Sequence, residues 1–148
     1  MSVSIRSMNA TDAEAVARLL PDLGYAASPT ELEARLSALR EWPHQEAFVA
    51  ELGHAVVGLC QVQGVRLLAS EGYAEIQALV VASGHQRQGI GRALLVHARE
   101  WAHGLGYVRV RLQSGLHREA AHLFYEAAEF SRSKPSYAFE AKREHNGA

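Results

Sequence analysis

The stretch Tyr73-Ala-Glu75-Ile-Gln77-Ala-Leu79-Val-Val81-Ala-Ser-Gly-His85-Gln86-Arg87-Gln88-Gly89-Ile90-Gly91-Arg92 holds the densest information in the chain. Residues 73–81 are rich in aromatic and β-branched side chains and are closed by Ala82-Ser83-Gly84, which predicts a strand. Its alternation places Tyr73, Glu75, Gln77 and Leu79 on one face. From Gly89 to about His103, Ile90, Leu94, Ala98 and Trp101 recur on one helical face, and Gly104-Leu105-Gly106 ends the helix. Between strand and helix lies a basic loop with two glycines. Glycines at a helix mouth let a ligand approach the backbone, whose free N–H groups and dipole favour an anion. Arg87 and Arg92 add positive charge there.

Two familiar nucleotide loops do not fit. A Walker loop needs Gly-x4-Gly-Lys-Ser/Thr, and the only lysines are Lys134 and Lys142. A dinucleotide fingerprint needs a third glycine where Leu94 stands, inside a βαβ unit that the preceding residues do not form.

Upstream, Val3 and Ile5 alternate with polar neighbours as a short strand. Thr11 and Glu14 read as a capping box for a helix carrying Val16, Leu19, Leu20 and Leu23, stopped by Gly24. Ser28 and Glu31 read as a second box, with Pro29 at the first helical position and Leu32, Leu36 and Leu39 as its apolar stripe. Residues 46–51 and 55–62 form a hairpin around Gly53-His54. Downstream, residues 107–112 read as a strand, 118–128 as a helix, and 130–143 as two short strands around Pro135. The order β-α-α-β-β-β-α-β-α-β-β implies a mixed sheet with helices on its faces.

The chain has 148 residues, which suits one domain over 1–148. Its net charge of −1 hides a polarity. Residues 1–84 carry five Arg against ten acids, while residues 85–118 carry six Arg against Glu100 alone. The near-neutral total argues against a nucleic-acid binder, and Arg87, Arg92, Arg109, Arg111 and Arg118 lack interleaved aromatics. The single Cys60 excludes a disulfide framework and reads as a buried core thiol. The eight histidines show no metal spacing, so no metal site is expected, and His97 and His103 read as helix-surface residues. No apolar signal core follows Met1 and no run nears the ~18 residues of a membrane span, so a cytoplasmic protein is expected.

Gln86-x-x-Gly89-x-Gly91, the strand before it and Ala121-His-Leu-Phe124-Tyr125-Glu126 downstream together resemble the GNAT acetyltransferase superfamily. The element order over the whole chain is similar as well. The resemblance implies an α/β (α+β) GNAT fold, a mixed, mostly antiparallel, splayed sheet of six to seven strands flanked by four helices. It implies acetyl-CoA as cosubstrate, its pyrophosphate gripped by Gln86, Arg87, Gln88, Gly89, Ile90, Gly91 and Arg92. Its pantetheine arm would pair with the backbones of Leu79 and Val81, and Leu79 N–H would polarise the thioester carbonyl. Arg118 stands where relatives often touch the cofactor. One departure is Glu129, where the family usually has the glycine of Tyr-Glu-x-x-Gly-Phe.

Acetyl transfer to an amine moves two protons, off the ammonium and onto the departing thiolate. Glu75 stands eleven residues before Gln86, as a glutamate base does in some family members, and Tyr125 matches the family's acid. The expectation is an N-acetyltransferase acting by direct transfer on a primary amine of a small molecule that is polyamine-, aminoglycoside- or amino-acid-like. Eight acids in residues 11–51 suggest an acidic wall for a cationic acceptor, with Tyr25, Trp42 and His44 as pocket candidates. Set against it are a CoA-sensing domain without transfer and a transferase for protein or peptide amines. Relatives often form homodimers through their late strands.

Overall fold

The computed structural model describes residues 2–113, 124–126 and 130–142. It divides into two compact units, Met1–Gln113 and Ser114–Ala148, each described by itself.

The first unit is a five-stranded sheet in the order β1-β2-β3-β4-β5. Its strands are β1 (Val3–Ser7), β2 (Gln45–Leu52), β3 (Ala55–Val65), β4 (Tyr73–Val81) and β5 (Val110–Leu112). Neighbours pair antiparallel except β4 and β5, which run parallel. The parallel pair follows from the connection, because α3 (Ile90–Gly104) carries the chain back between them. The β2–β3 hairpin turns at Gly53-His54, where Gly53 has a φ of 64° that glycine accepts without cost.

The helices begin where side chains satisfy their first N–H groups. In α2 (Pro29–Leu39), Glu31 N donates to Ser28 Oγ at 3.1 Å and Ser28 N to Glu31 Oε1 at 3.0 Å, the box expected. Before α1 (Ala13–Leu19) the box is displaced from Thr11 and Glu14. Here Asn9 N donates to Asp12 Oδ2 at 2.7 Å, ahead of a 3-10 turn at Ala10–Asp12. Asp12 is drawn into this role because it also meets Arg6 of β1. A 3-10 turn, Leu20–Leu23, follows α1 and ends at left-handed Gly24.

Strand alternation sorts the core onto two faces. Ala47, Val49, Leu59 and Val80 pack with Val16, Leu19 and Leu36 of α1 and α2. Phe48, Ala50, Cys60 and Gly58 point the other way, toward α3, where the Phe48 ring lies 4.6 Å from that of His97 and 6.5 Å from that of Trp101. His97 is thus a packing residue and not only a surface one, while His103 is exposed. Space at Gly58 is tight: a Cβ there would stand 3.0 Å from Leu94 Cδ1 and 3.3 Å from Val80 O, so its neighbours would have to shift by a few tenths of an ångström. Cys60 is fully buried and its thiol is pushed up to about 12 by that burial.

In the second unit, residues 124–126 are helical and Phe130 N donates to Tyr125 O at 2.9 Å. The two strands expected over residues 130–143 do not form in 130–142. Pro135 lacks an N–H, the serines at 131, 133 and 136 offer no apolar face, and residues 131–142 are all exposed. The sheet therefore has five strands among the described residues, fewer than the six to seven expected.

Candidate active site

The loop between β4 and α3 is held in an uncommon backbone shape. A 3-10 turn at Ser83–His85 leads to extended Gln86, then Arg87 at φ 64° and Gly89 at φ 81°. Gly89 tolerates the left-handed region, whereas Arg87 adopts it at a cost of roughly 1 kcal/mol. Gln86 Nε2 ties the loop back to β4 by donating to Val81 O at 3.4 Å. Gly89 is the N-cap of α3, and no side chain caps it among the described residues. No acid stands in the first turn either, so the N–H groups of Ile90 and Gly91 keep their capacity for an anion. Gln86, Arg87, Gln88, Gly89 and Arg92 are exposed, Gly91 is half-buried, and Ile90 anchors the helix in the core.

One irregularity in β4 decides what faces what. Gln61 lies opposite Ala78 but Val62 lies opposite Ile76, so Gln77 is an extra residue, a β-bulge. The bulge breaks the expected alternation. Tyr73 and Glu75 lie on the sheet face away from α3, and Gln77 stays with them, donating from Nε2 to Glu75 Oε1 at 2.7 Å. Leu79, registered on Cys60, lies on the α3 face, so it does not share a face with Glu75 as the simple parity predicts.

The bulge also re-aims the backbone. Ala82 N donates to Val57 O at 2.8 Å, so the antiparallel alternation turns Val80 toward β3 and Leu79 and Val81 away from it. On that outer side β5 pairs only along Ala74–Ile76, opposite Val110–Leu112. Past Ile76 the outer edge of β4 has no strand partner among the described residues, and the main-chain groups of Leu79 and Val81 face it.

An open strand edge running into a glycine-bearing, uncapped helix mouth is accompanied by a sequence match. The profile of the Acetyltransferase (GNAT) family matches residues 13–130. The chain belongs to that family. No curated protein matches it. Among solved structures, a putative acetyltransferase from Agrobacterium tumefaciens str. C58 is similar at 27% identity and TM-score 0.84, covering 93% of this chain and 99% of that one. A transcriptional regulator from Bacillus halodurans C-125 is similar at 27% identity and TM-score 0.85, covering 95% and 100%. AAC(6')-Iy, solved with the bisubstrate analog CoA-S-monomethyl-acetylneamine, shares the fold at 15% identity and TM-score 0.83, covering 97% and 100%.

In this GNAT chain the sequence-expected residues fall into three groups. Glu75, Leu79, Val81 and the loop from Gln86 to Arg92 all lie along β4 and its exit. Tyr125 belongs to the second unit, half-buried on its helical residues with its ring 5.6 Å from that of Phe124. Arg118 and Glu129 lie outside the described residues.

The acidic wall is not as charged as its composition suggests. Asp12 and Glu51 both bind Arg6, at 2.8 and 3.1 Å, Glu14 lies 3.7 Å from Arg18, and Glu31 lies 3.4 Å from Arg35. Four of its acids are thus matched by arginines. Tyr25 and Trp42 are exposed, and His44 Nδ1 shares a 2.5 Å hydrogen bond with the hydroxyl of buried Tyr107. His44 therefore fastens the far end of the sheet. No cluster able to hold a metal ion occurs among the described residues, nor any helix long and apolar enough to cross a membrane.

Proposed function

We propose that the protein is an acetyl-CoA-dependent N-acetyltransferase that moves the acetyl group directly onto a primary amine of a small molecule. The observation that carries this reading is the joint geometry of the bulged, outward-turned edge of β4 and the uncapped N-terminus of α3. A pyrophosphate would lie against the N–H groups from Gln86 to Arg92, with Arg87 and Arg92 adding charge. The pantetheine amides would extend the sheet along Leu79 and Val81, as an added strand does. Arg118 is proposed to touch the same cofactor.

Acetyl-CoA supplies the acetyl group as a thioester. Leu79 N–H would polarise the thioester carbonyl, whose oxygen gathers charge during attack. Glu75 takes the ammonium proton. Its Oε1 is held by Gln77, which leaves Oε2 to receive that proton. Tyr125 is assigned the return of a proton to the leaving thiolate.

Thermal unfolding with ligands tests the reading. Acetyl-CoA and CoA at a hundredfold excess over Kd should each raise Tm by about 5–10 °C, while NAD and a mixed oligonucleotide should not. Release of free thiol should then depend on an added amine. No stabilisation by acetyl-CoA removes the proposal, and stabilisation without transfer to any amine leaves a CoA-binding domain in its place.

A further inference from the structure

The acceptor side of β4 is bordered by two arginines that form no ion pair with a carboxylate among the described residues. Glu75 is registered on Arg111 across the parallel β4–β5 pair. The guanidinium carbon of Arg111 lies 4.4 Å from the centre of the Tyr73 ring, and that of Arg109 lies 5.5 Å from it. Stacking on the ring orders both groups without neutralising them. Neither meets a carboxylate among the described residues, although Arg6, Arg18 and Arg35 each have one. Arg111 is half-buried, so its charge is partly desolvated, with no paired carboxylate among the described residues.

The residues flanking Glu75 on β3 and at the bulge are neutral. Gln63 is registered on Glu75 from the β3 side, and Gln77 holds the carboxylate from the bulge. The surface thus reads amide, one carboxylate, then two guanidinium groups, across strands spaced about 5 Å apart. It lies near the start of β4, roughly 20 Å by strand rise from the residues that lead into the α3 loop, out of reach of a pyrophosphate held there. A polyamine would bring repeated positive charge to one carboxylate and two arginines. An amine with an anionic group a few bonds away matches both signs at once.

The geometry points to an acceptor that is an amine bearing a carboxylate or a phosphate, its ammonium at Glu75 and its anion at Arg109 and Arg111. This assignment rests on the proposed acetyl transfer and goes further by fixing the charge of the acceptor. Arg109 and Arg111 become specificity-determining residues, and Tyr73 the plate that orders them.

The experiment uses matched amines with acetyl-CoA on the full chain. β-Alanine is compared with β-alaninamide, phosphoethanolamine with ethanolamine, and spermidine serves as the polycation. In at least one pair kcat/KM should be about 10- to 100-fold higher for the anionic member, the range a charge-assisted hydrogen bond carries. The first pair reports a carboxylate and the second a phosphate. Replacing both arginines (Arg109→Gln with Arg111→Gln) should bring that ratio near one by raising KM, with the Tm rise caused by acetyl-CoA retained as proof of folding. Equal rates within both pairs, a preference for spermidine, or a preference that survives the double substitution overturns the inference. So does failure to acetylate either anionic amine when acetyl-CoA binds. Failure of the underlying function shows separately, as no stabilisation by acetyl-CoA.

Discussion

The two edges of the sheet treat arginine in opposite ways. On β1, Arg6 is closed on itself by the protein: Asp12 and Glu51 both accept its hydrogen bonds, and Asp12 is buried. At the other edge, Arg111 of β5 and Arg109 just before it are ordered by an aromatic ring and meet no carboxylate among the described residues. A closed charge contributes to the fold, since separating it would strand a buried carboxylate. An open, ordered charge contributes little to the fold and is available to a ligand. Composition cannot distinguish the two, because arginines count alike until their partners are known.

The largest effect expected from breaking this contrast is on turnover. Glu75→Gln keeps the shape and the contact with Gln77 but removes the carboxylate registered on Arg111. Turnover of a productive amine should fall about 100-fold, within the range for general acid–base catalysis, while stabilisation by acetyl-CoA persists. The deficit should widen as pH falls, where more of the amine is protonated and needs a base. A pH–rate profile parallel to that of the unaltered protein would assign deprotonation to water instead.

How much of this was legible in the sequence depends on how local each determinant is. The hairpin at Gly53, the Ser28–Glu31 box, the glycine-bearing loop and the helix after it are written in neighbouring residues, and all appear where expected. The bulge at Gln77 is not local. It exists because β3 and β4 settle into a register that leaves one residue over, and a strict period of two hides it. The same holds for the acids of residues 11–51. Their number was readable, but Asp12 and Glu51 reach Arg6 only once β1, β2 and the turn before α1 have assembled. The open pair at β5 was visible only as two arginines near each other in sequence, because Tyr73 comes from a strand 36 residues earlier in the case of Arg109.

The next effect is on stability and concerns the closed edge. The Asp12 carboxyl is held below the usual carboxylate range chiefly by its hydrogen bond with Arg6, helped by Asn9 N–H and opposed by burial. A lowered folded-state value means that this stabilisation is fully present above the unfolded value near 4 and is lost as pH falls toward the folded one. Asp12→Ala should therefore cost about 2 kcal/mol at pH 7, seen as a lower urea midpoint. The gap from the unaltered protein should narrow on going from pH 5 to pH 3. A gap that stays constant over that interval would mean that packing around the turn, and not the ion pair, carries the effect.

The smallest effect is the most discriminating. Arg111→Gln removes a half-buried guanidinium from β5, in the sheet as Arg6 is, so a purely structural view expects a loss comparable to that of Asp12→Ala. If the β5 charges are open, the loss is only that of a cation–π contact, about 0.5–1 kcal/mol. It is further reduced because no counter-ion among the described residues repays the partial burial of the charge. Urea unfolding at pH 7 should place the variant within about 1 kcal/mol of the unaltered protein. Because no carboxylate pairs with it among the described residues, its difference from the unaltered protein should not narrow between pH 5 and pH 3, unlike that of Asp12→Ala. A loss near 2 kcal/mol that fades in acid would show that a carboxylate closes the β5 edge after all, and the two edges would then be alike.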